Sequence, residues 1–206
     1  MTTAPEPHPE HLFTALPAED AEAQARLHAR LVTGAHRAGL LDVAYRTVET
    51  PVGTLLLAAT EQGVVRIAYE SQDHAAVLAD LAERVSPRVL EAPDRLAGAA
   101  GQLEEYFEGR RTAFDLPLDF RLAKGFRRAV ITHLPDIDYG RTESYARVAE
   151  AAGSPKAFRA VGTACATNPL PLVLPCHRVV RSDGSAGAYA GGAEAKHALL
   201  ALEGAA

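Results

Sequence analysis

Apolar and polar residues along this 206-residue chain follow two periods, and the switches between them divide it. Residues 1–17, rich in Pro and Glu, predict a mobile lead-in, and residues 18 to about 38 predict a helix without a chemical motif. From Leu41 the period shortens to two. Val43–Glu49, Thr54–Thr60 and Val64–Glu70 are short β-like runs, separated by Pro51-Val-Gly53 and Glu61-Gln-Gly63, which together predict an antiparallel meander. Helical spacing returns over Asp73–Val85 and Asp94–Glu108, where Leu103, Tyr106 and Phe107 share an apolar face, and Asp115–Phe120 predicts one more short strand.

The second half reads as mostly helical. Phe126, Ala129, Val130 and Leu134 fall on one face of a helix that Pro135 ends. Tyr145, Val148, Ala149 and Ala152 recur at i, i+3, i+4 and i+7, and Gly153 supplies the stop. Ser154-Pro155 then reads as an N-cap followed by proline at the first helical position, starting a helix from Pro155 to about Thr167 whose buried stripe is Phe158, Val161 and Cys165. Two short helices joined so tightly predict a helix-turn-helix. Arg159 falls on the flank of the second helix, beside Thr163 and Ala166.

Composition narrows this picture only a little. An apolar fraction of 48% suffices for an ordinary core of one or two domains, and the net charge of −5 does not mark a nucleic-acid binder. Divided at residue 118, however, the first part holds 10 Lys+Arg against 18 Asp+Glu, and the rest 11 against 8, so the basic excess lies in the second part. No apolar run has the length of a membrane span and the first residues lack a secretory pattern, which predicts a cytoplasmic protein with no membrane partner. The two cysteines are expected as free thiols there, and no metal-ligand spacing occurs among the scattered histidines.

One stretch carries candidate chemistry. An apolar, strand-like run, Pro169-Leu-Pro-Leu-Val-Leu174, stops at Pro175 and is followed by Cys176 and His177. A free thiol titrates near about 8.5, so a nucleophilic cysteine needs a nearby base or cation, and His177 is the candidate. Neighbours on an extended strand point to opposite faces, so the pair must sit on a bend or communicate through a water; Asn168 and the prolines suit such a bend.

Pro175-Cys-His-Arg-Val179, preceded by Arg159-Ala-Val-Gly162 and Asn168-Pro169 and followed by Tyr189-Ala-Gly-Gly192 and Leu199-Leu-Ala-Leu-Glu-Gly204, resembles the methylated-DNA-protein-cysteine methyltransferases, the O6-alkylguanine-DNA alkyltransferases, over about residues 119–204. The resemblance implies an α+β fold in three parts: an N-terminal extension (1–38), a small α/β structural domain with an antiparallel sheet (39–118), and a mainly helical, winged-helix-like domain with a helix-turn-helix (119–206). It implies a monomer that binds double-stranded DNA containing O6-alkylguanine. The alkyl group, and that of O4-alkylthymine, passes to Cys176 once per molecule, without a cofactor.

Roles follow from the same resemblance. His177, oriented by Glu203, takes the thiol proton through water; Asn168 holds the turn before the cysteine; Tyr145 assists the leaving guanine at N3. Arg159 enters the duplex in place of the extruded nucleotide, with Gly162 and Thr163 on the DNA-facing helix. Val179 and Cys176 offer carbonyls to the exocyclic amine, the Ala190 amide faces O6, and Pro171 and Tyr189 bound the alkyl pocket. Read without the resemblance, Arg159 is a solvated or phosphate-contacting arginine, Tyr145 a core tyrosine and Glu203 a frayed, exposed helix end. A cysteine hydrolase or a lesion-binding sensor are the alternative classes.

Overall fold

The computed structural model describes residues 20–205, so the lead-in of residues 1–17 lies outside the described residues. Contacts divide the chain after Leu40. The first unit holds helix α1 (Ala21–Arg37), started by Asp20, whose carboxylate accepts from the Ala23 amide; none of its residues is buried, and Leu27 and Leu31 are exposed.

The second unit, from Leu41 onward, begins with the three runs of period two. They form β1 (Val43–Val48), β2 (Leu55–Thr60) and β3 (Gly63–Tyr69), antiparallel in succession. All six residues of β2 are buried, as befits a strand covered on both faces. Two departures from the expected meander follow. A three-residue β4 (Val89–Glu91) pairs parallel to β1, so the sheet is mixed, in the order β3-β2-β1-β4. Residues 115–120 form no strand: a single bridge joins Leu118 to Val64, because the segment touches β3 through only two backbone bonds, Val64 N to Pro117 O and Asp119 N to Val64 O, each 2.8 Å. Gly63 is required at this crossing, since a Cβ there would lie 2.1 Å from the Pro117 carbonyl oxygen.

Helix α2 (His74–Arg84), capped by Asp73, buries Val77 and Leu81 against Val43, Leu56, Ala58, Val65 and Ala68. Helix α3 (Ala97–Phe107) buries Ala99, Leu103 and Tyr106. The helical half follows as α4 (Gly125–His133), β5 (Glu143–Ser144), α5 (Tyr145–Ala151), α6 (Phe158–Ala166), β6 (Val179–Val180) and α7 (Gly192–Leu202). Within α4 it is Val130 and Ile131 that are buried while the expected Ala129 is exposed, and a 3-10 turn, Leu134–Asp136, carries Pro135 beyond the helix end.

Helices α5 and α6 make the helix-turn-helix. Ser144 caps α5 and Gly153, at φ +77°, stops it. Its successor starts three residues later than Ser154-Pro155 suggested: Ser154 closes the end of α5 by donating its amide to Ala149 O, and the Ala157 amide turns back to Ser154 O. The shift rotates Phe158 out of the stripe, so Val161, Ala164 and Cys165 are buried and Phe158 is 48% exposed.

Candidate active site

The stretch before the cysteine is a knotted turn, not a strand. Asn168 organises it. Its Oδ1 accepts from the Leu170 amide (3.0 Å), and its Nδ2 donates to the Leu174 carbonyl (2.9 Å) and to Cys176 Sγ (3.2 Å). The Leu174 amide returns to Leu170 O at 2.9 Å, and Leu172 at the apex is held at φ +72°, a costly conformation for a branched side chain. Pro175 leads into a 3-10 turn over Cys176–Arg178, which supplies the bend that the Cys-His pair demands, and β6 begins at Val179.

The thiol is not displayed at the surface: Cys176 and His177 are both fully buried. Burial pushes the Cys176 thiol up to about 11, against the pull of the Asn168 hydrogen bond and the Lys196 charge. Desolvation dominates in the free protein, and the groups that oppose it are Asn168 and Lys196. Burial also lowers the His177 imidazole, which keeps it neutral, while Glu203 pulls the other way. Its Nε2 lies 2.8 Å from Glu203 Oε1, and its Nδ1 is buried with no partner among the described residues. A carboxylate only accepts, so Nε2 carries the proton and Nδ1 keeps a free lone pair.

Glu203 sits at the C-terminal cap of α7, where the helix dipole disfavours a carboxylate, and five donors compensate. Oε1 accepts from Tyr106 Oη (2.7 Å), His177 Nε2 and Arg178 Nη2 (3.0 Å); Oε2 accepts from Arg178 Nε (2.9 Å) and the Gly140 amide (3.3 Å). Burial alone would raise this carboxyl, yet the hydrogen bonds from His177, Arg178 and Tyr106 outweigh it and hold the group down at about 2. Arg178 is completed by Nη1 to the Ile137 carbonyl at 2.6 Å.

The remaining candidates fall in two places. Val179 and Tyr189 join the buried cluster: the Val179 carbonyl accepts from Lys196 Nζ at 2.5 Å, and the Tyr189 ring meets His177 edge-on at 6.1 Å while its hydroxyl lies 2.7 Å from that of Tyr69. Pro171 is buried in the Asn168 turn, and Ala190 is half-buried in the loop before α7. Tyr145 and Gly162 line an open cavity of about 490 Å3 with Phe158, Arg181, Gly187 and Ala188. Tyr145 is clamped there, its hydroxyl donating to Ala188 O at 3.4 Å, and a Cβ on Gly187 would lie 2.0 Å from that hydroxyl. Burial pushes its phenol up to about 12, so it is a hydrogen-bond donor at neutral pH. Cys176 has no surface in this cavity. Arg159 and Thr163 stand on the exposed face of α6.

Lys196, Arg178 and Tyr106 were not foreseen. Lys196 is fully buried, 5.8 Å above the Tyr145 ring, and burial lowers its ammonium. The one available sign was its spacing: Lys196, Leu199, Leu200 and Glu203 share a single helical stripe. Among the described residues no group of His, Cys, Asp and Glu is placed to hold a metal ion, and no helix is long and apolar enough to cross a membrane.

The ribonuclease-like domain of 6-O-methylguanine DNA methyltransferase matches residues 43–120, and the DNA binding domain of 6-O-methylguanine DNA methyltransferase matches residues 125–205. The methylated-DNA-protein-cysteine methyltransferase of Mycolicibacterium paratuberculosis is 40% identical over 161 residues, covering 78% of this chain and 92% of its own. The constitutive enzyme of Bacillus subtilis is 41% identical, covering 77% and 94%. Among solved structures, Mycobacterium tuberculosis O6-methylguanine methyltransferase aligns with a TM-score of 0.69 at 36% identity over 79% of this chain and 93% of that one, and M. tuberculosis OGT in complex with DNA with 0.69 at 37% over 78% and 92%. The chain belongs to the 6-O-methylguanine DNA methyltransferase family.

Proposed function

We propose that this protein repairs alkylated DNA by transferring the alkyl group of O6-alkylguanine, and of O4-alkylthymine, to Cys176. The observation that carries the reading is the buried chain Glu203–His177, with Nδ1 unpartnered, beside a thiol held by Asn168. The thiol proton leaves through a water to His177 Nδ1, and the sulfur lone pair forms an S–C bond as the O6–C bond breaks. The electron pair passes to the purine, which takes a proton at N3 with Tyr145 as donor. Glu203 stabilises the imidazolium that forms.

A stacked base cannot reach a buried thiol, so the nucleotide must be extruded at a cost of a few kcal/mol. Arg159 fills the vacated space from the exposed face of α6, and Gly162 and Thr163 let the helix come close. Val179 and Cys176 present carbonyls and Ala190 its amide to the base, with Pro171 and Tyr189 bounding the alkyl pocket. Because Cys176 is closed off, the Gly187–Ala190 loop and Tyr145 must shift for the base to enter. The thioether has no route to hydrolysis here, so each monomer acts once and no cofactor takes part. In this reading residues 119–206 bind DNA and accept the alkyl group, residues 39–118 support them, residues 1–38 form an extension, and the protein works in the cytoplasm.

The test is intact-protein and peptide mass spectrometry after incubation with excess duplex carrying one O6-methylguanine. One methyl per molecule on Cys176, reaching a plateau at equal stoichiometry, is expected. An unmodified protein that still binds the lesion would make it a sensor, and product released beyond the amount of protein would make it a hydrolase.

A further inference from the structure

Away from the Cys176 cluster, three arginines from three different elements converge. Arg66 on β3, Arg84 on α2 and Arg127 on α4 line a cavity of about 290 Å3 together with Asp80, Thr167 and Pro169. Asp80 is the one carboxylate in that lining, and Arg84 engages it at 2.9 Å across a turn of α2. Among the described residues the Arg127 guanidinium bonds to neutral oxygens alone, the Leu122 carbonyl and, at 3.5 Å, the Thr167 hydroxyl. The Arg66 guanidinium has no hydrogen-bond or ion-pair partner among the described residues. Burial lowers its guanidinium and both neighbouring arginines add to that, with Asp80 alone opposing them.

This arrangement leaves positive charge uncompensated in a concave, partly desolvated place. A guanidinium carries five N–H donors in a planar fork, and the oxyanion that matches the fork and accepts from several arginines at once is a phosphate. We infer that the cavity between β3, α2 and α4 binds a phosphate group, with Arg66 as the principal donor and Arg84 and Arg127 flanking it. The site lies at the C-terminal end of α6, at Ala166 and Thr167, and the helix carries Arg159 in its first turn. Eight residues of helix separate Arg159 from Thr167, about 12 Å, or roughly three to four base steps of a duplex lying along it. The phosphate is thus either one of the DNA backbone, which rests on the reading of α6 as the DNA-facing helix, or that of a free phosphate-bearing molecule.

Two readouts on the full chain test the site, using wild type, Arg66→Gln and Arg84→Gln. The first is Tm in inorganic phosphate against chloride at matched ionic strength. Wild type gains stability from phosphate and Arg66→Gln does not, whereas without phosphate Arg66→Gln is at least as stable as wild type because it removes a like charge. The second is the slope of log affinity against log salt for an undamaged duplex, which Arg66→Gln flattens by about 0.9. A change in slope identifies the DNA backbone as the source; loss of phosphate stabilisation with an unchanged slope identifies a free phosphate. Arg84→Gln, which releases Asp80 toward Arg66, weakens the same readouts and guards against a folding defect in the first variant. If neither readout changes in either variant, the inference is overturned. Neither readout uses Cys176, so failure here is distinct from failure of alkyl transfer.

Discussion

Replacing Glu203 by glutamine preserves the shape of the side chain and removes its charge from the most heavily bonded site in the cluster. Of the five donors that converge on it, the Arg178 guanidinium is the most affected: it is buried, and the Ile137 carbonyl is its other hydrogen-bond acceptor. Removing one partner of a buried pair costs about 3–5 kcal/mol. At about 2–4 °C per kcal/mol for a chain of this size, Tm at neutral pH falls by roughly 10 °C. The same carboxylate makes a second, independent prediction. It is held at about 2 against an ordinary 4.5, a difference worth about 3 kcal/mol. Since the folded value lies below the unfolded one, that stabilisation is fully present above about pH 4.5 and is lost as the pH falls toward 2. The gap between wild type and variant therefore narrows by about 3 kcal/mol over that window. Calorimetry of both proteins from neutral pH downward reads both quantities. A neutral-pH drop below about 1 kcal/mol, or a gap that stays constant through the acid window, would refute the account of Glu203 as a charged hub.

Three further outcomes are expected. Burial of Cys176 at about 11 means that its alkylation by iodoacetamide in the free protein rises roughly tenfold per pH unit from neutrality upward, followed by peptide mass spectrometry; a plateau below about pH 8 would contradict the assignment. Asn168→Ala leaves the buried Leu170 amide without its partner, takes one of two donors from the Leu174 carbonyl and removes the bond to Sγ, so it should cost about 2–3 kcal/mol in denaturant unfolding and slow alkyl transfer as well. Gly187→Ala forces Tyr145 out of its clamp, and single-turnover transfer from O6-methylguanine duplex should slow by on the order of 10²-fold, with a far smaller effect on binding of undamaged DNA.

What was legible in the sequence follows the range of the interactions. The three long strands, the Gly153 limit of α5 and the end of α7 at Gly204 rest on patterns spanning a few residues. Misreadings arose where a distant partner decided the matter. Residues 115–120 have strand-like composition but find only a single bridge on β3. Ser154-Pro155 has the chemistry of a helix start, and here the miss was local: the Ser154 carbonyl closes a single turn with the Ala157 amide, α6 begins only at Phe158, and Phe158 is left exposed. Within the cluster, the Cys-His bend was required by stereochemistry, and its sequence neighbours Asn168 and Pro175 supply it. Lys196 was not legible because a lysine in a helix ordinarily sends its ammonium to solvent, and only the fold brings the Val179 carbonyl within its reach. Tyr106 lies 97 residues from the carboxylate it serves, a separation that no periodicity encodes.

That last bond belongs to a set. Among the ties that run from the sheet-bearing half to the helical half are Tyr106 to Glu203, Tyr69 to Tyr189, and the Ile67 amide on an edge strand to the Pro169 carbonyl beside Asn168. Under the proposed assignment, a fragment severed after residue 118 would retain every side chain that reacts and yet lose an anchor at each of the helix end, the loop and the turn that aim them. In a saturation map of repair fitness, Tyr69 and Tyr106 would then score beside the residues assigned to the reaction, and heritable loss of function would be found in a half of the gene to which that assignment gives no chemistry.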